Sequence, residues 1–468
     1  MLFIDRESEL GVLEGAVRSG RSELVVVYGR RRVGKTFLLR EFQRVCGGVY
    51  LSVNYGDRAL ALQDLSRQLR EGLGVELGRF DTFRELYKAA LTFAERLRGA
   101  PVLMIDEAQR LAGTGGLSEL QYLWDTELSG AECVVVLSGS GVGMVERVLL
   151  SYESPIYGRV TKVLHLKPFS YRVARAFMRG WSPKDRVRGY AVFGGMPAYL
   201  SLIDDGEPLS TNILKSILSP ASIMHHDPHY LLAMETREPQ RYLGIMEAIA
   251  RGRRRAGEIA SYLGLPVNVV SKYLYVLENA LGLIVKEYPL GFEGKKRYGL
   301  YDITDNYFRF WLREIYPRLG DPSLSTEHYL RKVMKRIDDY ASRAWEQIAR
   351  EHMNLLLHEG KVSYARAGKW WYRGEEIDLV AINEEEKTAY FIECKWSEKT
   401  PVRKHVERLK KKASRTPWRN WRHEYIIYTA GNEAVEEEGV KTYTLEDVEN
   451  LMEKYASRIS ITELPSPP

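Results

Sequence analysis

The chain has 468 residues, 45% apolar and 28% charged. At roughly 150 residues per domain that is room for about three domains, and the composition excludes collagen-like, mucin-like and wholly disordered chains. The balance of 68 Lys and Arg against 62 Asp and Glu gives +6, which permits a nucleic-acid or phosphate partner without demanding one. Only Cys46, Cys133 and Cys394 occur. Three scattered cysteines argue against a disulfide framework or a thiolate zinc site and fit a reducing, cytoplasmic setting. Charge at Asp5 interrupts the N-terminal apolar residues, so no signal peptide is expected. The longest uncharged stretch, residues 133–145, is too short to cross a bilayer, so no membrane partner is expected.

Residues 1–167 alternate short apolar runs with amphipathic stretches. Runs at 23–28, 48–53, 101–106, 132–139 and 162–166 are rich in Val, Ile and Leu and read as buried strands, with room between most of them for crossover helices. That pattern predicts a parallel sheet covered on both faces. Residues 168–240 lack strand signals and read as a helical lid. Residues 241–320 read as helices and a short hairpin, with a boundary near Gly320, Asp321 and Pro322. A long helix at about 327–358 opens a last α/β segment, 321–463, before a disordered tail, 464–468.

The strongest motif runs Gly29, Arg30, Arg31, Arg32, Val33, Gly34, Lys35, Thr36, with Phe37 opening a helical stretch. This is G-x-x-x-x-G-K-[ST] between a predicted strand and a predicted helix. Such a loop turns its N–H groups toward phosphate oxygens, and the helix N-terminus adds its dipole. Lys35 would reach the β- and γ-phosphates and Thr36 would hold Mg2+. The apolar run 101–106 ends in Asp106 and Glu107. Asp106 would join the Mg2+ shell and Glu107 would orient or deprotonate the attacking water. Ser138 and Ser140 end another strand and are candidates to sense the γ-phosphate or merely to cap the next helix. Arg159 is a candidate arginine finger, within its own chain or between subunits of a homo-oligomer, or a plain surface residue.

Together FIDRESEL, the phosphate loop, IDEAQ, LSGS, SPIYGR and the segment Phe193-Gly194-Gly195-Met196-Pro197 resemble, in that order, the archaeal ATPase family, related to AAA+ and STAND NTPases. The resemblance covers about residues 1–310. It implies that Ile4, Asp5 and Arg6 lie by the adenine and that Gly195 and Pro197 approach the nucleotide from the lid. The implied cofactors are ATP and Mg2+.

Residues 257–265 read as a helix ending at a glycine turn, and Pro266 opens a second helix whose apolar face holds Val269, Val270, Tyr273, Leu274 and Leu277. Helix, short turn and helix is the helix-turn-helix arrangement. The second helix would offer Asn268, Ser271, Lys272 and Tyr275 to a groove. Lys286, Lys295, Lys296 and Arg297 would sit in or near a wing, and the basic run 251–255 suits phosphate contact. The alternative is a winged helix used only for packing. The aromatic run 301–311 reads as a packing element.

Residues 375–382 and 389–396 flank a charged turn and read as a hairpin. Alternation puts Glu393 and Lys395 on one face, opposite Ile392 and Cys394. Asp378 on the first strand and Glu346 on the preceding helix could join them. Two carboxylates sharing Mg2+ or Mn2+ beside a lysine suit phosphodiester hydrolysis. The arrangement resembles the PD-(D/E)xK, restriction-endonuclease-like fold, in which active relatives often place another polar residue on the next helix; Lys404 and Arg408 are the available ones. Residues 403–422 interleave many cations with Trp418 and Trp421, which suits either nucleic acid or a solvated helix face. The expected fold class is therefore α/β: a P-loop NTPase parallel sheet, a helical lid, a winged helix-turn-helix and a restriction-endonuclease-like domain. The expected function is a Mg2+-dependent ATPase coupled to DNA binding and cleavage. The alternative is a regulatory NTPase whose C-terminal domain is only an interaction module.

Overall fold

In a computed structural model the chain divides into two compact units, residues 1–168 with 279–282 and 459–468, and residues 169–278 with 283–458. The described residues are 2–4, 6–74, 78–98, 101–399, 401–431, 439–456 and 461–463. Asp5 and the expected tail 464–468 lie outside them. Among the described residues no helix is long and apolar enough to cross a membrane.

The first unit is built on strands β1 (Leu2–Ile4), β2 (Glu23–Gly29), β3 (Val49–Ser52), β4 (Val102–Asp106), β5 (Val134–Ser140) and β6 (Lys162–His165). Five of them form one sheet in the order β3-β4-β5-β2-β6, and each adjacent pair is parallel. Every residue of β2, β4 and β5 is buried, as a sheet covered on both faces requires. One face of the core is formed by Leu24, Val26, Leu51, Leu103, Ile105, Val135 and Leu137. The order places β2 between β5 and β6, so the loop leaving β2 emerges beside the tips of β4 and β5. That position is the crevice beyond the carboxyl ends of the strands where open α/β sheets bind ligands. β1 pairs antiparallel with the strand Ile461–Glu463.

The second unit begins with helices, including Pro183–Phe193, Pro197–Leu200 and Ile223–Glu235. Helices Ala256–Leu263 and Val267–Tyr275 follow, separated by Gly264 in a left-handed turn and by Pro266. The antiparallel pair β7 (Ile284–Glu287) and β8 (Leu300–Ile303) completes the order expected of a winged helix-turn-helix. Val270, Leu274 and Leu277 are buried, whereas Val269 and Tyr273 are only half-buried. The aromatic run packs as expected, with Tyr307, Phe308, Phe310 and Trp311 fully buried on the helix Asn306–Glu314.

The expected boundary near Gly320 does not separate the two units. The buried carboxylate of Glu314 accepts hydrogen bonds from Tyr329 (3.0 Å), Arg336 (2.6 Å) and Tyr340 (2.6 Å), all beyond it. The same contacts explain why the single helix expected at 327–358 is two, Glu327–Met334 and Ile337–His358. The chain turns between them at Lys335 and Arg336, and the Arg336 guanidinium reaches back to Glu314.

The C-terminal sheet is mixed, in the order β13-β12-β11-β10-β9. Its strands are β9 (Arg366–Tyr372), β10 (Glu375–Asn383), β11 (Thr388–Lys395), β12 (Arg422–Thr429) and β13 (Val440–Thr444). β9, β10 and β11 form an antiparallel meander, and β11, β12 and β13 run parallel. The helix Val402–Ala413 makes the crossover from β11 to β12. Trp418 is buried, and with half-buried Trp421 it belongs to the core under this helix. The Trp418 ring serves packing and does not offer the stacking face that the sequence suggested.

Asp302 at the end of β8 gathers three guanidinium groups. Arg309 donates to it at 2.7 Å and Arg254 at 3.4 Å, and Arg343 from the helix Ile337–His358 also pairs with it. Burial alone would raise the Asp302 pKa, but these cations hold it far below the usual carboxylate range. Replacing Asp302 with Ala leaves Arg309 buried without its counter-ion. The expected loss is about 3–5 kcal/mol of unfolding free energy, read as a lower urea midpoint. An unchanged midpoint would contradict this assignment.

Candidate nucleotide site and a second carboxylate cluster

The phosphate loop joins β2 to the helix Lys35–Cys46. Gly34 has φ +99° and, among the described residues, no atom lies within 4 Å of where a side chain would begin. A residue with a Cβ would be strained there and would fill open space at the helix N-terminus. The loop curls over Lys35, whose ammonium donates to the carbonyls of Gly29 and Arg30 at 3.0 Å each. Arg30 and Val33 are buried, Arg31 and Phe37 are half-buried and Arg32 is exposed with φ +68°. Arg6 braces the loop from below: its guanidinium donates to the carbonyls of Val33 (3.2 Å) and Lys167 (2.8 Å) and pairs with Glu9. Ile4 sits in β1 opposite Ile461, and its side chain lies outside the description.

The second half of the site comes from the tips of β4 and β5. The Thr36 hydroxyl donates to Asp106 Oδ2 at 2.8 Å, so the two expected Mg2+ ligands meet although 70 residues separate them. Tyr50 on β3 donates to the same oxygen at 2.8 Å, and Asp106 Oδ1 accepts the Glu107 N–H at 2.9 Å. Burial and the Asp106 charge push the Tyr50 phenol pKa up, so the phenol remains a donor. A hydroxyl and a carboxylate are hard oxygen donors of the kind Mg2+ takes together with waters and phosphate oxygens. The residues present therefore fit the ion.

Glu107 stands at the strand tip in the left-handed region, with φ +54°. Its carboxylate is held from two sides: Ser140 Oγ lies 3.0 and 2.9 Å from its two oxygens, and Gln109 Nε2 donates at 2.7 Å. Gln109 is 4% exposed. A Cβ on Gly139 would lie 2.5 Å from Gln109 Oε1, so only glycine at that position leaves room for the amide. The motif reading missed Gln109 and Tyr50. Position two after Glu107 is a signal for the first, whereas nothing local marks the second. Ser138, the other sensor candidate, is fully buried opposite Val27, with no hydrogen-bond partner for its hydroxyl among the described residues.

Arg159 lies elsewhere. Its guanidinium forms a two-pronged pair with Asp125, at 2.7 and 2.6 Å, and also donates to the Tyr157 carbonyl at 3.0 Å. Thr161, two residues on, bonds to the Leu24 carbonyl at the start of β2. The phosphate loop begins at the other end of that seven-residue strand, about 20 Å away at ~3.3 Å per residue. Gly195 and Pro197 belong to the second unit. The Gly195 carbonyl accepts the Phe169 N–H at 2.7 Å, and Pro197 opens a short helix.

Within the second unit a carboxylate cluster forms on the C-terminal sheet. Glu393 and Lys395 share one face of β11 and pair at 2.7 Å, while Ile392 and Cys394 enter the core opposite. Lys412 from the helix Val402–Ala413 pairs with the other Glu393 oxygen at 2.9 Å. This helix thus supplies a lysine, and it is Lys412, not Lys404 or Arg408, which are exposed. Asp378 on β10 accepts the Cys394 N–H at 2.8 Å. Glu346 pairs with Lys369 on β9, a strand the sequence reading passed over. Burial pushes the Asp378 pKa well up, and the nearby charges of Glu393 and Glu346 push it further. Burial also opposes ionisation of Glu393, but Lys395 and Lys412 outweigh it and hold its pKa below the ordinary value. Among the described residues no group of three or more His, Cys, Asp or Glu is arranged to hold a metal ion. Asp378 and Glu393 are nonetheless hard oxygen donors, and crowded desolvated carboxylates are relieved by a divalent cation.

The positions expected to face a groove, Asn268, Ser271, Lys272 and Tyr275, are all exposed. The wing is not. Leu290 donates its N–H to the Lys369 carbonyl at 2.8 Å, Phe292 stacks on Tyr372 and the Trp371 indole donates to the Tyr298 carbonyl at 3.1 Å. Lys286 lies over the rings of Tyr288 and Tyr301, and Arg297 over Tyr298. The side chain of Lys296 lies outside the description.

Residues 3–203 match the family described as an ATPase domain predominantly from Archaea, and residues 311–412 match a family of archaeal and bacterial proteins of unknown function. An uncharacterized protein of Methanocaldococcus jannaschii is 29% identical over 401 residues, 85% of this chain and 88% of the relative. An uncharacterized ATP-binding protein of the same organism is 43% identical over 42 residues, 9% of this chain and 71% of the relative. Among solved structures, the Aeropyrum pernix ORC2 protein in its ADPNP–ADP complexes is 15% identical with a TM-score of 0.45, over 71% of this chain and 94% of that one. Residues 3–203, which carry the phosphate loop and the Asp106–Glu107 strand tip, are thus similar to an archaeal-type ATPase domain.

Proposed function

We propose that the protein is a Mg2+-dependent ATPase that acts on DNA through its second unit. The observation that carries the ATPase half is the meeting of Thr36, Asp106 and Glu107 beside the phosphate loop. Loop amides and the helix N-terminus bind the phosphates. Lys35, which donates to two loop carbonyls, is placed to transfer its donors to phosphate oxygens. Bound Mg2+ would neutralise charge developing on the transferred phosphoryl group. Glu107 would orient the attacking water and take its proton, with Ser140 and Gln109 fixing the carboxylate. Arg159 lies at the far end of its own sheet, so a role as arginine finger requires a second copy of the chain.

DNA is favoured as the target by the exposed polar face of the helix Val267–Tyr275 and by the cluster of Asp378, Glu393, Lys395 and Lys412. In this reading the carboxylates would hold a divalent cation that activates water, and the lysines would neutralise the phosphodiester. The wing's packing on β9 favours a second reading, in which the C-terminal sheet is an interaction module controlled by the ATPase domain.

Two outcomes separate these roles. Gln109→Leu should lower kcat for ATP hydrolysis about tenfold or more with nucleotide affinity unchanged, because it loosens Glu107 only; an unchanged kcat would remove the clamp from the mechanism. Lys395→Ala should abolish Mg2+- or Mn2+-dependent DNA cleavage while ATP hydrolysis continues. If the unsubstituted protein cleaves no duplex, single-stranded or branched DNA with either metal, the second reading holds.

A further inference from the structure

Asp106 is served by a group outside the phosphate-loop and strand-tip motifs. Tyr50 stands on β3, the edge strand next to β4, with Ser52 paired to Asp106 and Tyr50 to Met104. Its hydroxyl reaches Asp106 Oδ2 at 2.8 Å, the oxygen that also accepts from Thr36. The ring is held in turn by the guanidinium of Arg40, 3.7 Å above its centroid. Arg40 lies four residues after Thr36, on the same face of the helix Lys35–Cys46. That face therefore meets Tyr50 twice, through the Arg40 stack and through the shared carboxylate.

The consequence is geometric. The terminal torsion of an aspartate is soft, so a carboxylate fixed by a single side-chain partner swings freely about it. Here Oδ1 is fixed by the Glu107 N–H and Oδ2 by donors from two separate elements. The Thr36 donor sits on the loop side, and its hydroxyl is an expected ligand of the metal. Tyr50 is the side-chain donor on the sheet side. It approaches from β3, leaving the loop side of the carboxylate to Thr36.

We propose that Tyr50 is a positioning residue for the nucleotide's magnesium ion, holding the Asp106 carboxylate turned toward Thr36. The inference rests on the ATPase reading and adds to it a residue that sets the metal requirement. Removing the hydroxyl should weaken the metal's contribution to nucleotide binding and leave the metal-free contribution alone. Partners that orient metal ligands in this way change metal affinity about 10–100-fold when lost.

The test is a binding measurement on the full-length protein with a fluorescent ATP analogue, in excess EDTA and across a Mg2+ titration. In Tyr50→Phe, affinity in EDTA should match the unsubstituted protein within about twofold, while the Mg2+ midpoint rises about tenfold or more. Arg40→Gln disturbs the ring's packing but keeps the hydroxyl, and its Mg2+ midpoint should stay put. Thermal melts of both variants report folding. An unmoved midpoint in Tyr50→Phe overturns the proposal. So does an equal loss of affinity with and without metal, or a shift in Arg40→Gln as large as that in Tyr50→Phe, since each marks a packing role. If the unsubstituted protein binds the analogue with no Mg2+ dependence, or not at all, the ATPase reading falls and this proposal falls with it.

Discussion

One carboxylate oxygen, Asp106 Oδ2, joins the parts of the nucleotide site. It takes a hydrogen bond from the helix that follows the phosphate loop, through Thr36, and another from the edge strand, through Tyr50. Three elements of different sequence origin therefore converge on a point with no covalent link between them. The convergence depends on strand order. Because β5 separates β2 from β4 and all neighbours are parallel, the loop after β2 and the tips of β4 and β5 open on the same edge. Buried Val, Leu and Ile on both faces hold that order, so the placement of one oxygen is a result of core packing.

The same logic accounts for Glu107. In the proposed mechanism its carboxylate takes a proton from water and has to be aimed, and its backbone is already in the left-handed region. Ser140 from the neighbouring strand and Gln109 from the following turn hold it, and the bare Cα of Gly139 makes room for the Gln109 amide. The unusual backbone and the two partners belong together: strain at a strand tip persists when its surroundings fix it.

The parallel sheet was legible in the sequence because its strands are short Val-rich runs with clear punctuation, and the ends observed for β2 to β6 lie within two residues of those expected. The phosphate loop and the Asp106–Glu107 pair were legible because their chemistry demands fixed residue types at fixed spacing. Tyr50 was not, since any strand can carry a tyrosine, and Gln109 was marked only by its position two after Glu107; the partners that give both their roles arise from the fold. In the second unit the hairpin carrying Asp378 and Glu393 could be read from alternation, but β9 was hidden by its charges and tryptophans. Lys369 and Lys412 were lost with the tertiary contacts that give them meaning. The break at Lys335 and Arg336 escaped notice because helix periodicity continues across it, while the buried Glu314 that draws Arg336 back lies more than twenty residues earlier.

In the proposed function the loop 29–36 grips a nucleoside triphosphate with its magnesium. Titration calorimetry of MgATP into the unsubstituted protein and into Lys35→Ala tests it most directly. Saturable binding at one site per chain, lost or weakened at least tenfold in the variant, is the predicted result; no binding, or equal binding by both proteins, would contradict it.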